Sequence, residues 1–205
     1  MLSNKGFDLW ADGYDKSVGL SDEDGTYPFA GYNDILNEIY NRVLNDSAKT
    51  ILDIGFGTGT LATKLYEQGI SIYGQDFSER MIKIAKAKMP EAYLYQGDFS
   101  AGFAEPLTRQ KYDAIIATYS LHHLTDSQKV SLINELLLLL NEGGCIYIGD
   151  VAFKTRAELE RCRKELGDAW DKDEIYFAYE EIREAFPKMK FEPMSFCAGV
   201  LTLEK

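Results

Sequence analysis

Histidine is nearly missing from this 205-residue chain, which has two, and cysteine is scarce, with three. Cys145, Cys162 and Cys197 are odd in number, lie far apart and form no C-x-x-C pair, which fits buried thiols in a reducing compartment better than a disulfide framework. Long apolar runs are lacking too. The "LLLLL" at 136–140 is far shorter than a bilayer span and sits between Glu135 and Glu142, and the opening "MLSNKGFDLW" has no signal-peptide stretch. The expectation is a cytoplasmic protein that crosses no membrane. Positive charge is in deficit: 22 Lys and Arg against 33 Asp and Glu leave a net charge of −11. Nucleic acids and anionic membranes are therefore disfavoured partners, and a small or cationic ligand is better suited.

What is present fills one domain. A hydrophobic fraction of 45% over 205 residues supports a continuous core, and no repeat or linker divides the chain. From residue 50, short β-branched or aromatic runs at 50–54, 71–75, 92–96, 112–117 and 145–150 alternate with helical periods at about 59–68, 78–89 and 126–141. Ser78 and Asp126 are candidate N-caps, and Gly69 and Gly143 candidate stops. This is a run of βα units, expected to form a parallel sheet. A polar helical region over 155–187 follows, then "KFEPMSF" and "CAGVLTLEK", which can pair as an antiparallel edge hairpin. "AGYNDILNEIYNRVL" carries a one-sided helix stripe before the first strand, and "LLLLL" is expected to be a helix buried on several sides.

The chemistry concentrates at strand ends. "ILDIGFGTGT", 51–60, is a strand that breaks into Gly55, Gly57 and Gly59, which sets bare backbone at the carboxyl edge of the sheet, where open α/β sheets bind ligands. A dinucleotide site calls for Gly or Ala at position 60, and Thr60 stands there. Asp53, a carboxylate inside an apolar strand, costs about 2–7 kcal/mol unless partnered, so loop amides, water or a cationic group must answer it. A ligand with both an ammonium and a carboxylate answers the turn and the acid together; alternatively Asp53 only ties down a tight turn. Asp76 ends the second strand, seventeen positions after Gly59, where ribose hydroxyls are met. Asp98 ends the third beside Phe99, a ring able to cover a base. The expectation is that all three acids open onto one crevice.

"ILDIGFGTG", "IYGQDFSERM", "YQGDF" and "YDAIIATYSLHHL" resemble the successive motifs of class I S-adenosylmethionine-dependent methyltransferases, and "FDLWADGYD" resembles the opening lid of small single-domain bacterial members. The resemblance implies a Rossmann-like, doubly wound seven-stranded mixed sheet with helices on both faces, its last strands an antiparallel hairpin. It implies S-adenosyl-L-methionine as cofactor, with Gly55 and Gly57 at the methionine part, Asp76 on the ribose, Asp98 with Phe99 at the adenine, and Phe77 and Met81 also in contact. Residues 1–32 become a lid, in which Trp10 or Tyr14 can face the sulfonium through a cation–π contact. Residues 151–187 become a helical insertion near the acceptor, where Trp170, Tyr176, Phe177 and Tyr179 either line the pocket or pack.

The remaining candidates border the acceptor. His122 and His123 follow the fourth strand with Tyr119, and a histidine there serves either as a proton acceptor or as a hydrogen-bonded structural group. The Asn/Asp-Pro-Pro-aromatic motif of base-modifying enzymes is absent from "TYSLHH", which argues against nucleic acid. No metal ligands are assigned. The expected function is methyl transfer to a small molecule. A nicotinamide-dependent oxidoreductase and a non-catalytic cofactor-binding module are the alternatives.

Overall fold

In a computed structural model describing residues 25–205, the βα alternation becomes one mixed sheet between two layers of helices. The elements are α1 (Tyr32–Asn45), β1 (Thr50–Ile54), α2 (Thr60–Tyr66), β2 (Ser71–Asp76), α3 (Glu79–Lys88), β3 (Tyr93–Gln96), α4 (Glu105–Thr108), β4 (Tyr112–Thr118), α5 (Asp126–Leu139), β5 (Leu140–Phe153), α6 (Arg156–Leu166), β6 (Phe177–Ala178), α7 (Tyr179–Ala185), β7 (Lys190–Pro193) and β8 (Ala198–Glu204). The strand order is β3-β2-β1-β4-β5-β8-β7. Strands β1 to β5 run parallel, and β8 returns antiparallel to both β5 and β7, as the hairpin reading predicted. The short β6 is an addition, pairing parallel with the end of β5.

The chain reverses its winding between β1 and β4, and that switch point opens a crevice above the carboxyl ends of the strands. Alternation along β1 divides its side chains between two cores: Ile51 joins the layer with α1, α2 and α3, while Leu52 and Ile54 join the layer with α5 and α7. Asp53 follows Ile51 by that period. Helix α1 lies close on β5 because Gly149 has no side chain; a Cβ there would meet Ile35 Cγ2 at 2.3 Å.

Several local expectations change. Thr125, not Asp126, caps α5, in a capping box with Gln128, because its hydroxyl is one residue better placed to accept the Gln128 amide. The leucine run is not buried on several sides: Leu136 and Leu139 are buried, Leu138 is 69% exposed, and Leu140 already begins β5. The 155–187 region is not one helix. It stops at Gly167, whose φ of 55° suits few other residues, and continues as a loop, β6 and α7. The three cysteines are buried and unpaired. No described helix is long and apolar enough to cross a membrane.

Candidate functional site

The crevice holds a cavity of about 400 Å³, within the range of small-molecule sites. Gly55, Gly57, Asp76, Phe77, Met81 and Phe99 line one side. Tyr119, Ser120, His122, His123, Asp171 and Glu174 line the other, roofed by Tyr27, Pro28 and Phe29. A smaller cavity of about 40 Å³ lies behind the turn, bounded by Asp53, Thr58, Thr60 and again Gly55, Gly57 and Tyr119.

The three glycines serve three different needs. Gly55 (φ 68°) makes room for β4: a Cβ would meet Ser120 Cβ at 2.5 Å, where Ser120 Oγ donates to Ile54 O at 2.7 Å. Gly59 (φ 77°) makes room for α3, with Met89 Cε 2.9 Å from its absent Cβ. Only Gly57 (φ 56°) faces open space. The turn is also less bare than expected, because each glycine amide is already used: Gly55 N donates to Gln75 O (2.8 Å), Gly57 N to Asp76 Oδ2 (2.8 Å) and Gly59 N to Phe56 O (2.9 Å).

Asp76 accepts a second bond from Ser78 N at 2.8 Å on Oδ1, so backbone amides hold both of its oxygens at the edge of the cavity. Asp53 is 2% exposed and its Oδ1 is buried without a hydrogen-bond partner. Burial, and then the neighbouring Asp76 charge, push its pKa up to about 8. Asp98 departs from expectation. It is exposed, lines neither cavity, and its Oδ1 is taken by Ser100 N (2.8 Å) and Ser100 Oγ (2.6 Å) in a local turn. The acids therefore do not share one crevice: Asp76 faces the main cavity, Asp53 the annex, Asp98 solvent. Phe99 does reach the cavity, since Gln75 pins the loop that follows it through Ala104 N (2.7 Å) and Gly102 O (2.9 Å).

The opposite wall is built around Asp150, which is fully buried at the end of the β5 stretch "CIYIGD". Its Oδ1 meets His122 Nδ1 at 2.7 Å and Val151 N at 2.8 Å, and Oδ2 accepts from Leu121 N at 3.2 Å. Burial works against charge on His122, but Asp150, reinforced by Glu174, wins and holds its pKa above the ordinary value. His123 goes the other way: burial, then the His122 charge, lower it to about 4, which leaves a neutral imidazole facing the cavity at neutral pH. Glu174 Oε1 lies 3.4 Å from His122 Nε2, and Glu174 Oε2 accepts from Tyr176 at 2.6 Å. Beneath this wall Lys129 is completely buried, over the Phe177 ring at 4.6 Å and bonded to Ile175 O.

Tyr119 holds φ at 50°, rare for a residue with a side chain, and packs against Phe29 and Tyr32 with ring centroids 5.2 Å away in each case. Trp170, Tyr176 and Phe177 are buried and pack; with Tyr179 they lie outside the cavity lining. Tyr27 stacks on Trp170 at 5.6 Å, fixing the roof to the segment after α6. Trp10 and Tyr14 lie outside the described residues. The sequence reading missed Asp150 and Glu174. Asp150 carried a usable signal, an acid closing a parallel strand as Asp76 does, whereas Glu174 stands in a polar loop with none.

A crevice at the switch point, a glycine turn and an acid at the end of β2 define a nucleoside-cofactor α/β fold, and the comparisons with known proteins give the family. A model described as a methyltransferase domain matches residues 51–144. An uncharacterized methyltransferase of Geobacillus sp. strain WCH70 is 39% identical over 160 residues, covering 78% of this chain and 72% of that protein. One from Alkaliphilus oremlandii is 32% identical over 183 residues, 89% of this chain and 81% of its own. Among solved structures, magnesium protoporphyrin IX methyltransferase from Synechocystis PCC 6803 with bound SAM superposes with a TM-score of 0.67 at 18% identity, covering 100% and 98% of the two chains. DesVI of Streptomyces venezuelae also gives 0.67 at 18%, covering 94% and 96%. The chain belongs to the class I S-adenosylmethionine-dependent methyltransferases. Its similar relatives include bacterial proteins of this family.

Proposed function

We propose that this chain transfers a methyl group from S-adenosylmethionine to a small-molecule nucleophile in the 400 Å³ cavity. The observation that carries the reading is Asp53: a buried carboxylate oxygen without a partner, in a recess behind Gly57, the one glycine of the turn that faces open space. A buried polar atom left unanswered costs enough that its natural complement is a ligand cation, here the ammonium of an amino-acid tail. Asp76, an acceptor-only carboxylate lining the cavity at the end of β2, suits a pair of ribose hydroxyls, and Phe77, Met81 and Phe99 offer an apolar bed for a base. When bound, the cofactor supplies an electrophilic methyl group on a sulfonium sulfur.

The chain's own contribution is alignment and exclusion of water. Displacement at a methyl carbon is in-line, so holding the nucleophile at the right angle supplies most of the rate. Tyr119 and the Tyr27–Phe29 segment close the cavity over that line. His123 presents its neutral ring to the cavity; with a pKa near 4 it is a weak proton acceptor. His122, tied to Asp150, orients the turn that carries His123.

Calorimetric titration with S-adenosylmethionine, followed by a screen of small metabolites for release of S-adenosylhomocysteine, tests the reading. Saturable binding and turnover with a metabolite are the expected results. Binding of a nicotinamide dinucleotide instead would refute it, and binding without turnover across the screen would favour a sensing module.

A further inference from the structure

Three side chains able to ligate a metal share the acceptor wall. One donor atom each from His122, His123 and Glu174 lie within 4.8 Å of one another, and the His122 Nε2 to Glu174 Oε1 distance is 3.4 Å. A tetrahedral centre with zinc-type bonds of about 2.0–2.2 Å holds its donors about 3.4 Å apart, so one edge already has its final length and rotation of His123 completes the triangle. We propose that His122, His123 and Glu174 bind a divalent transition metal of the zinc class, leaving an open coordination position toward the cavity. This deepens the methyl-transfer reading, on which it rests only for the meaning of that open position.

The surroundings are those of a metal site. Asp150 holds His122 Nδ1 at 2.7 Å and leaves Nε2 toward the cavity, the carboxylate–histidine arrangement that fixes a ligating ring. Asp150 is itself anchored by the amides of Val151 and Leu121. Tyr176 donates to Glu174 Oε2 at 2.6 Å, which fixes the carboxylate and leaves Oε1 facing His122. The two segments are tied where it matters, for Ile175 N donates to His122 O at 2.8 Å, one residue after Glu174. Two imidazoles and one carboxylate favour zinc, cobalt, nickel or iron over magnesium and calcium, which take oxygen ligands. The acceptor suited to the open position bears a heteroatom that itself ligates such a metal, a thiolate or a nitrogen. The competing arrangement is a plain His122–Glu174 ion pair that needs no metal.

Cobalt(II) separates the two. The untagged full-length chain, stripped with a chelator, is titrated with cobalt and read by visible absorption, and the same samples are titrated with S-adenosylmethionine by calorimetry. The expected result is one saturable cobalt site, displaced by zinc, with affinity reduced at least about tenfold in both His123→Ala and Glu174→Gln, whose folding is checked by circular dichroism. Absence of saturable binding, or equal binding in wild type and both variants, overturns the metal site whether or not the cofactor binds. Cobalt binding that depends on His123 and Glu174, in samples that fail to bind S-adenosylmethionine, upholds the metal site and overturns the methyl-transfer reading.

Discussion

The wall built from β1 and β2 and the wall built from β4 and β5 are assembled on opposite plans. The first uses residues 53 to 99 in chain order, most of them backbone or apolar, and leaves one acid oxygen buried without a partner. The second gathers residues 119–123, 150 and 174, and its buried charges are paired: Asp150 with His122, and His122 with Glu174. The first wall leaves that oxygen to be answered by a ligand, whereas the second already holds its side chains in place around Asp150, ready for the metal proposed above. Apart from Gly55, which packs against Ser120, the β1–β2 wall should therefore yield its binding energy to mutation with little loss of fold, and the β4–β5 wall the reverse.

The largest effect expected from that contrast is on stability. Asp150→Ala leaves His122 buried without its principal partner, and the loss is expected at about 3–5 kcal/mol, read by urea denaturation. A loss under about 1 kcal/mol would make the two walls alike. Next comes Gly55→Ala, which collides with Ser120 in addition to the φ penalty and is expected to cost about 2–4 kcal/mol. Gly57→Ala, with open space around it, should cost only about 1–2 kcal/mol of stability yet fill ligand space and abolish cofactor binding.

Asp76→Ala should weaken cofactor affinity about 10- to 100-fold by calorimetry, by removing charge-assisted bonds to the ribose. Asp53 sharpens the comparison through pH. A carboxyl whose folded pKa is raised favours the protonated fold, so its contribution to ligand-free stability is complete below the ordinary value near 3.8 and is lost as pH rises through about 8. Affinity for an ammonium group should move oppositely, rising as Asp53 ionises. Asp53→Asn should flatten both profiles, followed by thermal melts and titrations across that window. The smallest effect is expected at His123→Ala, with turnover lowered, cofactor affinity nearly unchanged and the fold intact. Full activity would put His123 outside the reaction.

The same contrast explains what the sequence reveals. Strand and helix periods carry the sheet, and the motifs around Gly57, Asp76 and Phe99 lie in consecutive βα units, where spacing along the chain maps onto space. Asp98 defeats that logic because Ser100 supplies a nearer partner, a choice that side-chain geometry makes and strand position does not. The wall around Asp150 and Glu174 depends on residues 24 positions apart meeting His122 at separations of 28 and 52, and no local pattern encodes such a meeting. The break at Gly167 was hidden for a related reason: a polar stretch of helical composition ends where one residue takes a positive φ.

Gly149 couples the helix layer over β5 to the ceiling of the cavity. It stands one residue before Asp150, and its missing side chain lets α1 settle onto β5. The segment that leads into α1 is the one whose Tyr27, Pro28 and Phe29 roof the cavity. A single methyl group at 149 would thus act as a wedge under that helix, tilting the ceiling away from its floor while every side chain that touches a ligand stayed the same.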